Sequence, residues 1–277
     1  MDNYFCFTDK KILLGEKTYI MGILNVTPDS FSDGGKHNTL KAALELAKEM
    51  ESSGADFIDI GGQSTRPNYT RISQEEEWER LKDILPAVIK EVNIPVSVDT
   101  FYPFVAERAL DSGAHIINDV SGNVLKEMAD TVKKYNAGWI LMHNKEENGT
   151  DIAAAVNNCL NSMLETAVSL GVKRENICLD AGIGFGKTME QNRLLILNSN
   201  AVKVKGNAYL LGASRKRVIG IPLNDNGDFE NRDFGTVAAH TIGAMGGADI
   251  LRVHNFKGSV QAAKVCDYIL RGKINDK

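Results

Sequence analysis

Eight short apolar runs, each ending in polar or small residues and each followed by a helical stretch, recur between residues 19 and 270. A run that is apolar at nearly every position reads as a strand covered on both faces, as in a parallel sheet. Strands joined through helices are parallel neighbours, because each crossover has the length to carry a covering helix. The runs are residues 19–26, 57–60, 95–98, 116–117, 139–142, 177–179, 209–211 and 250–253. The helical stretches lie at 39–53, from 73 onward, and at 103–112, 124–135, 152–170, 189–202, 236–245 and 259–270. Ser73 reads as an N-cap, with Glu75, Glu76 and Glu77 in the first turn, where the helix dipole favours acids. This alternation predicts an α/β fold: a single-domain (β/α)8 TIM barrel, for which 277 residues suffice. An open doubly wound sheet is the alternative. Residues 1–17 read as a polar leading segment with a short hairpin around Gly15, and residues 223–233 as a long polar connection.

Composition narrows the function. The net charge of −4 gives no global field for nucleic acid or an anionic membrane, so an anionic ligand must be held by local cations and backbone dipoles. Cys6, Cys159, Cys178 and Cys266 are scattered, which suits a reducing compartment better than a disulfide framework, and Cys178 reads as a small core residue. Neither a signal sequence nor a membrane-length apolar run is evident, so the expectation is a soluble cytoplasmic protein.

In a barrel of this kind the carboxyl ends of the strands converge on one mouth, where chemistry is done. Here those ends carry Asn25, Asp99, Asn118, His143, Asp180, Lys216, Arg252 and His254. His143 and Asp119 read as cap or turn residues. Asp99, Asn118 and Asp180 are acceptors suited to a flat heterocycle with several N–H groups, such as an aminopyrimidine edge. Arg252 and His254, two apart on one strand, project on the same face and with Lys216, Arg66 and Asn25 suit a dianion and a hard cation such as Mg2+. Lys216 could instead form a Schiff base, its pKa lowered by Arg215 and Arg217, or the three could mark a solvated basic turn. The loop GIGFGK does not have phosphate-loop spacing, and its glycines suit close approach of backbone to a flat ligand.

The strings MGILNVTPDSFSDGG, DIGGQSTRP, VSVDT, IINDVSG, LMHN, LDAGIGFGKT, LLGASRK and RVHN together resemble the dihydropteroate synthase family, from about residue 20 to residue 255. The resemblance implies a homodimeric barrel that joins 6-hydroxymethyl-7,8-dihydropterin diphosphate to 4-aminobenzoate and is sensitive to sulfonamides. It places pterin contacts on Asp99, Asn118, Asp180 and Lys216, and diphosphate contacts on Thr65, Arg252 and His254. It places Mg2+ on Asn25 and the aminobenzoate pocket on Phe31, Arg66, Pro67, Ser214 and Lys216. Asp99, Asp180, Lys216, Arg252 and His254 are thereby the catalytic candidates. Dimerisation rests on the resemblance alone, since no helix face in the sequence demands it.

The chain departs from the family pattern at Gln63, Asn68, Ala181, Ala213 and Asn255, where glutamate, glycine, proline, threonine and aspartate are usual. None of these removes an expected ligand. Gln63 bears on the closure of the neighbouring loops, and Ala213 on inhibitor fit. A pterin-binding methyl-transfer domain, a Lys216 aldolase and a non-synthase paralogue remain as other readings.

Overall fold

The computed structural model describes residues 3–26, 35–63, 70–225 and 229–272, apart from the side chains of 35–39. A hairpin of β1 (Tyr4–Phe7) and β2 (Lys10–Leu13) comes first. Eight parallel strands follow: β3 (Tyr19–Asn25), β4 (Phe57–Gly61), β5 (Val96–Asp99), β6 (Ile116–Asp119), β7 (Gly138–Met142), β8 (Ile177–Asp180), β9 (Ala208–Leu211) and β10 (Ile250–Val253). They pair in chain order, and β10 closes on β3. The predicted barrel is therefore the observed one, and the open sheet is excluded.

The covering helices are α1 (Gly35–Ser52), α2 (Gln74–Leu81), α3 (Ile84–Glu91), α4 (Pro103–Asp111), α5 (Lys126–Lys134), α6 (Ile152–Ser169), α7 (Met189–Leu197), α8 (Ser199–Val202), α9 (Arg217–Gly220), α10 (Asp233–Met245) and α11 (Phe256–Arg271). Ser73 caps α2 as expected, accepting from the Glu76 amide. The stretch after it is two helices rather than one. Pro86 has no N–H to return to the carbonyl of residue 82, so α2 stops and a second helix starts with the proline in its first turn. The stretch 189–202 likewise breaks at Asn198, whose side chain bonds back to the Leu194 carbonyl. The connection 223–233 is partly helical, with short turns at Ile221–Leu223 and Glu230–Arg232.

Strand side chains alternate between two cores. Ile58, Ile60, Val96, Val98, Leu141, Leu179, Leu211 and Leu251 pack against the helices. Tyr19, Met21, Phe57, Ile116, Ile140, Cys178, Leu210 and Ile250 fill the barrel interior. The reading of residues 1–17 as a polar segment with a hairpin around Gly15 needs correction at the hairpin. The turn is at Thr8–Asp9, and Phe5 and Phe7 are fully buried in the interior cluster as a plug at the strand starts. Gly138 makes room for them, since a Cβ there would meet the Phe5 ring at 2.9 Å. The hairpin is pinned by paired bonds, Thr8 N–H to the Asn136 carbonyl (2.7 Å) and Asn136 Nδ2 to the Thr8 carbonyl (2.7 Å). All four cysteines are free, with Cys178 inside the barrel.

Candidate active site

Strand register sets the site. Asn25 pairs with Gly61, Gly61 with Asp99 and Asp99 with Asn118, so one row crosses four neighbouring strands at the mouth. Asp59, two residues before Gly61, has the same parity and points inward with this row. It was not anticipated, yet it is the centre of the polar cluster. Its Oδ2 accepts from Arg252 Nε (2.6 Å) and Asn118 Nδ2 (3.0 Å), while Arg252 Nη2 donates to Asp99 Oδ2 (2.7 Å). The available signal was that Asp59 is the one charged residue in the otherwise apolar run FIDIGG.

Asp59, Asp99 and Asn118 are all buried. One oxygen of each (Asp59 Oδ1, Asp99 Oδ1, Asn118 Oδ1) has no hydrogen-bond partner among the described residues. Buried acceptors left this way cost about 1–3 kcal/mol each, which a donor-rich ligand would recover. Burial raises the Asp99 carboxyl, and Asp59 and Glu77 push the same way against Arg252. Glu77, also buried, is itself raised to about 7 by burial.

Across the barrel, Asp180 Oδ1 accepts from the Gly182 amide at 2.7 Å. Lys216 donates to the Ile183 carbonyl and lies 4.7 Å from the centre of the Phe185 ring. A Cβ on Gly212 would stand 3.6 Å from Asp180 Oδ2 and 4.0 Å from Lys216 Nζ, so both groups border that glycine. Burial lowers Lys216 to about 8, with Arg252 and Lys187 adding to the effect and Asp180 opposing it. Arg215 and Arg217 are not its cause. Arg215 adopts a left-handed φ of 57° and forks onto Asp233 (2.7 and 2.8 Å), and Arg217 is exposed. A wholly solvated basic turn is excluded with it.

Ser214 and His254 are brought together, Ser214 Oγ lying 2.9 Å from His254 Nδ1. Asn25 is half-buried at the end of β3. Asp119 is the turn residue expected, accepting from the Ser121 amide. His143 is not a cap; it is fully buried between Lys187 and Glu147. The loop glycines also serve another contact than the one expected: a Cβ on Gly182 would lie 1.9 Å from the His143 carbonyl, so that glycine admits neighbouring backbone. Phe31, Thr65, Arg66 and Pro67 lie outside the described residues.

A family model described as pterin binding enzyme matches residues 21–254. The dihydropteroate synthase of Clostridium beijerinckii is 47% identical over 265 residues, covering 95% of this chain and 98% of that one. The chain belongs to the dihydropteroate synthase family. A solved dihydropteroate synthase of Clostridium difficile, obtained in the presence of pteroic acid, superposes with a TM-score of 0.88 at 43% identity, covering 93% of this chain and 98% of that one. The Xanthomonas albilineans dihydropteroate synthase with 4-aminobenzoic acid gives a TM-score of 0.90 at 34% identity, covering 98% and 99%.

Three of the departures from the dihydropteroate synthase pattern are absorbed locally, while Asn68 lies outside the described residues. Gln63 Oε1 accepts from the Ile72 amide (2.8 Å), a bond glutamate could also make, and the neutral amide avoids burying a charge. The Ala213 amide donates to His240 Nε2 (3.1 Å), and burial, with Lys216 adding, keeps His240 neutral, its pKa near 3. Asn255 caps α11 by accepting from the Gly258 amide, a role aspartate fills equally. Among the described residues no helix is long and apolar enough to cross a membrane.

Proposed function

We infer that this chain is a transferase of folate synthesis that joins 6-hydroxymethyl-7,8-dihydropterin diphosphate to 4-aminobenzoate, giving 7,8-dihydropteroate and diphosphate. The observation that carries the reading is the cluster of buried acceptors around Arg252, with three oxygens left without partners. A pterin edge supplies the N–H donors such a cluster needs. Asp99, Asn118 and Asp180 hold that edge, and Lys216 meets the ring from the other wall. The reaction breaks the methylene carbon–oxygen bond and forms a carbon–nitrogen bond. The carboxylates stabilise positive charge developing on the pterin, while Arg252 and His254 stabilise the leaving diphosphate. Arg252 Nε and Nη2 are engaged by Asp59 and Asp99, which leaves Nη1 to reach the anion. Thr65 joins that anion site. The arylamine is already neutral at pH 7 and releases its proton to solvent after attack, so no strong general base is required. Phe31, Arg66, Pro67 and Ser214 form the aminobenzoate pocket, which sulfonamides would occupy as mimics.

Asn25 fits a Mg2+ ion that keeps most of its waters and takes further oxygens from diphosphate. Among the described residues no group of three or more His, Cys, Asp or Glu is placed to hold a metal, so the protein share of the shell is small. When bound, the ion would offset charge on the leaving diphosphate.

The deciding experiment is diphosphate release with and without 4-aminobenzoate. Release that depends on the arylamine and yields dihydropteroate is expected. Pterin binding without product would overturn the reading in favour of a methyl-transfer domain. The pH profile adds a second check. Lys216 loses its charge as pH rises through about 8, so kcat/KM for the pterin diphosphate falls above that pH, approaching tenfold per unit. A profile flat to the lysine range would remove Lys216 as a charged contact.

The active form is a homodimer in this reading, which exposed apolar residues on two adjacent helices support. Phe234 (88% exposed), Ile242 and Met245 (63%) share one side of α10, and Val265, Tyr268 and Ile269 (74%) one side of the adjacent α11. Apolar area of this kind favours a second copy. Light scattering should give twice the 30.3 kDa chain mass, and Phe234→Glu with Ile269→Glu should give the single mass. A wild-type monomer would exclude the dimer.

A further inference from the structure

Lys187 ends the GIGFGK segment, where only the glycines had an evident purpose. Its ammonium has four acceptors in reach: the Phe185 carbonyl (2.9 Å), His143 Nδ1 (2.9 Å), the Gly182 carbonyl (3.1 Å) and the His143 carbonyl (3.2 Å). An ammonium only donates, so His143 Nδ1 must be unprotonated and the ring proton sits on Nε2. That nitrogen lies 2.9 Å from Glu147 Oε1, which accepts it. Burial, with Lys187 adding, holds His143 below its ordinary pKa, consistent with a neutral ring. The loop after β7, which His143 opens, and the loop after Asp180 are thus tied at one point.

The loop between the two lysines divides its carbonyls. Those of Gly182 and Phe185 turn to Lys187, and that of Ile183 turns to Lys216. Gly182, Gly184 and Gly186 all have left-handed φ (66°, 85° and 61°), which lets successive carbonyls face opposite ways. Asn192 holds the outer side, accepting from the Gly184 amide at 2.6 Å. We propose that Lys187 is a positioning residue for pterin binding: by clamping Gly182 and Phe185 it sets the Ile183 carbonyl and the Phe185 ring that orient Lys216. The proposal rests on the pterin reading of the mouth. Lys187 touches no reacting atom in it.

The test measures two affinities on the full chain, for 6-hydroxymethylpterin and for inorganic diphosphate. Lys187→Ala takes the ammonium away from the Gly182 and Phe185 carbonyls, the former keeping only the Phe185 amide, so the loop loosens and the pterin Kd rises by on the order of tenfold, about 1.4 kcal/mol. Diphosphate, held on the Arg252 side, keeps its Kd within about twofold on the same scale. Ethylammonium added to the variant restores pterin affinity. Glu147→Ala, at a partly exposed residue, frees the His143 ring without removing the clamp and weakens pterin binding in the same direction by a smaller factor. An unchanged pterin Kd in Lys187→Ala, equal loss of both ligands, or no rescue overturns the role. If Lys187→Ala does not fold, an unchanged pterin Kd in Glu147→Ala overturns it instead. A wild-type chain that binds no pterin overturns the functional reading and this role with it. Wild-type binding with unchanged variants overturns this role alone.

Discussion

Replacing Arg252 by alanine is expected to abolish dihydropteroate formation and to lower stability by about 3–5 kcal/mol, the cost of breaking a buried ion pair from one side. The guanidinium bridges Asp59 and Asp99, both buried, and Lys216 across the barrel is instead donating to the Ile183 carbonyl. Without Arg252, two carboxylates face each other with Asn118 as the remaining donor. The pterin edge then meets a repelling, disordered pair of acceptors, and the leaving diphosphate loses the guanidinium assigned to it. Lysine should not rescue, because one ammonium does not reproduce the fork that engages both carboxylates. Adding Asp59→Asn to the alanine variant should recover part of the stability, since it removes one of the two uncompensated charges, but not the activity. Urea unfolding and product assay report the two effects separately. Wild-type stability in Arg252→Ala would show that the cluster does not depend on that charge.

Phe7→Ala should cost about 3–5 kcal/mol as well, for a different reason. Phe7 is fully buried, with ring centres 5.3 Å from Phe5 and 5.6 Å from Phe57. The barrel interior is a packed core, so removing a ring leaves a cavity that eight hydrogen-bonded strands cannot collapse to fill. The plug is at the strand starts, away from Asp99 and Asp180 at the strand ends. The denaturation midpoint should therefore fall while the KM values for both substrates stay unchanged. A changed pterin KM with an unchanged midpoint would contradict the plug's purely structural role.

Local pattern determined a large part of this protein. Unbroken apolar runs alternating with period-3.6 stretches specify eight strand–helix units, and position at the strand ends places Asp99, Asn118, Asp180 and Arg252 in the mouth, where the structure has them. Ser73 is legible as a cap because a cap and its amide are three residues apart, whereas the Asn255 cap emerges only in the structure. What depends on partners far along the chain was decided only by the tertiary structure. Asp59 looks like one more strand residue until Arg252, 193 positions later, is placed against it. Phe5 and Phe7 sit in a segment too short and mixed to read as core, and become core because a closed barrel has an end to fill. His143 and Lys187 are 44 residues apart, and their bond exists because neighbouring strands deliver adjacent loops. The apolar face of α10 and α11 is divided between two helices separated by a strand, so neither helix shows it alone. Periodicity is a property of neighbours in sequence and specifies elements. Charge pairing, plugging and shared surfaces are properties of neighbours in space, and exist only once the barrel has closed.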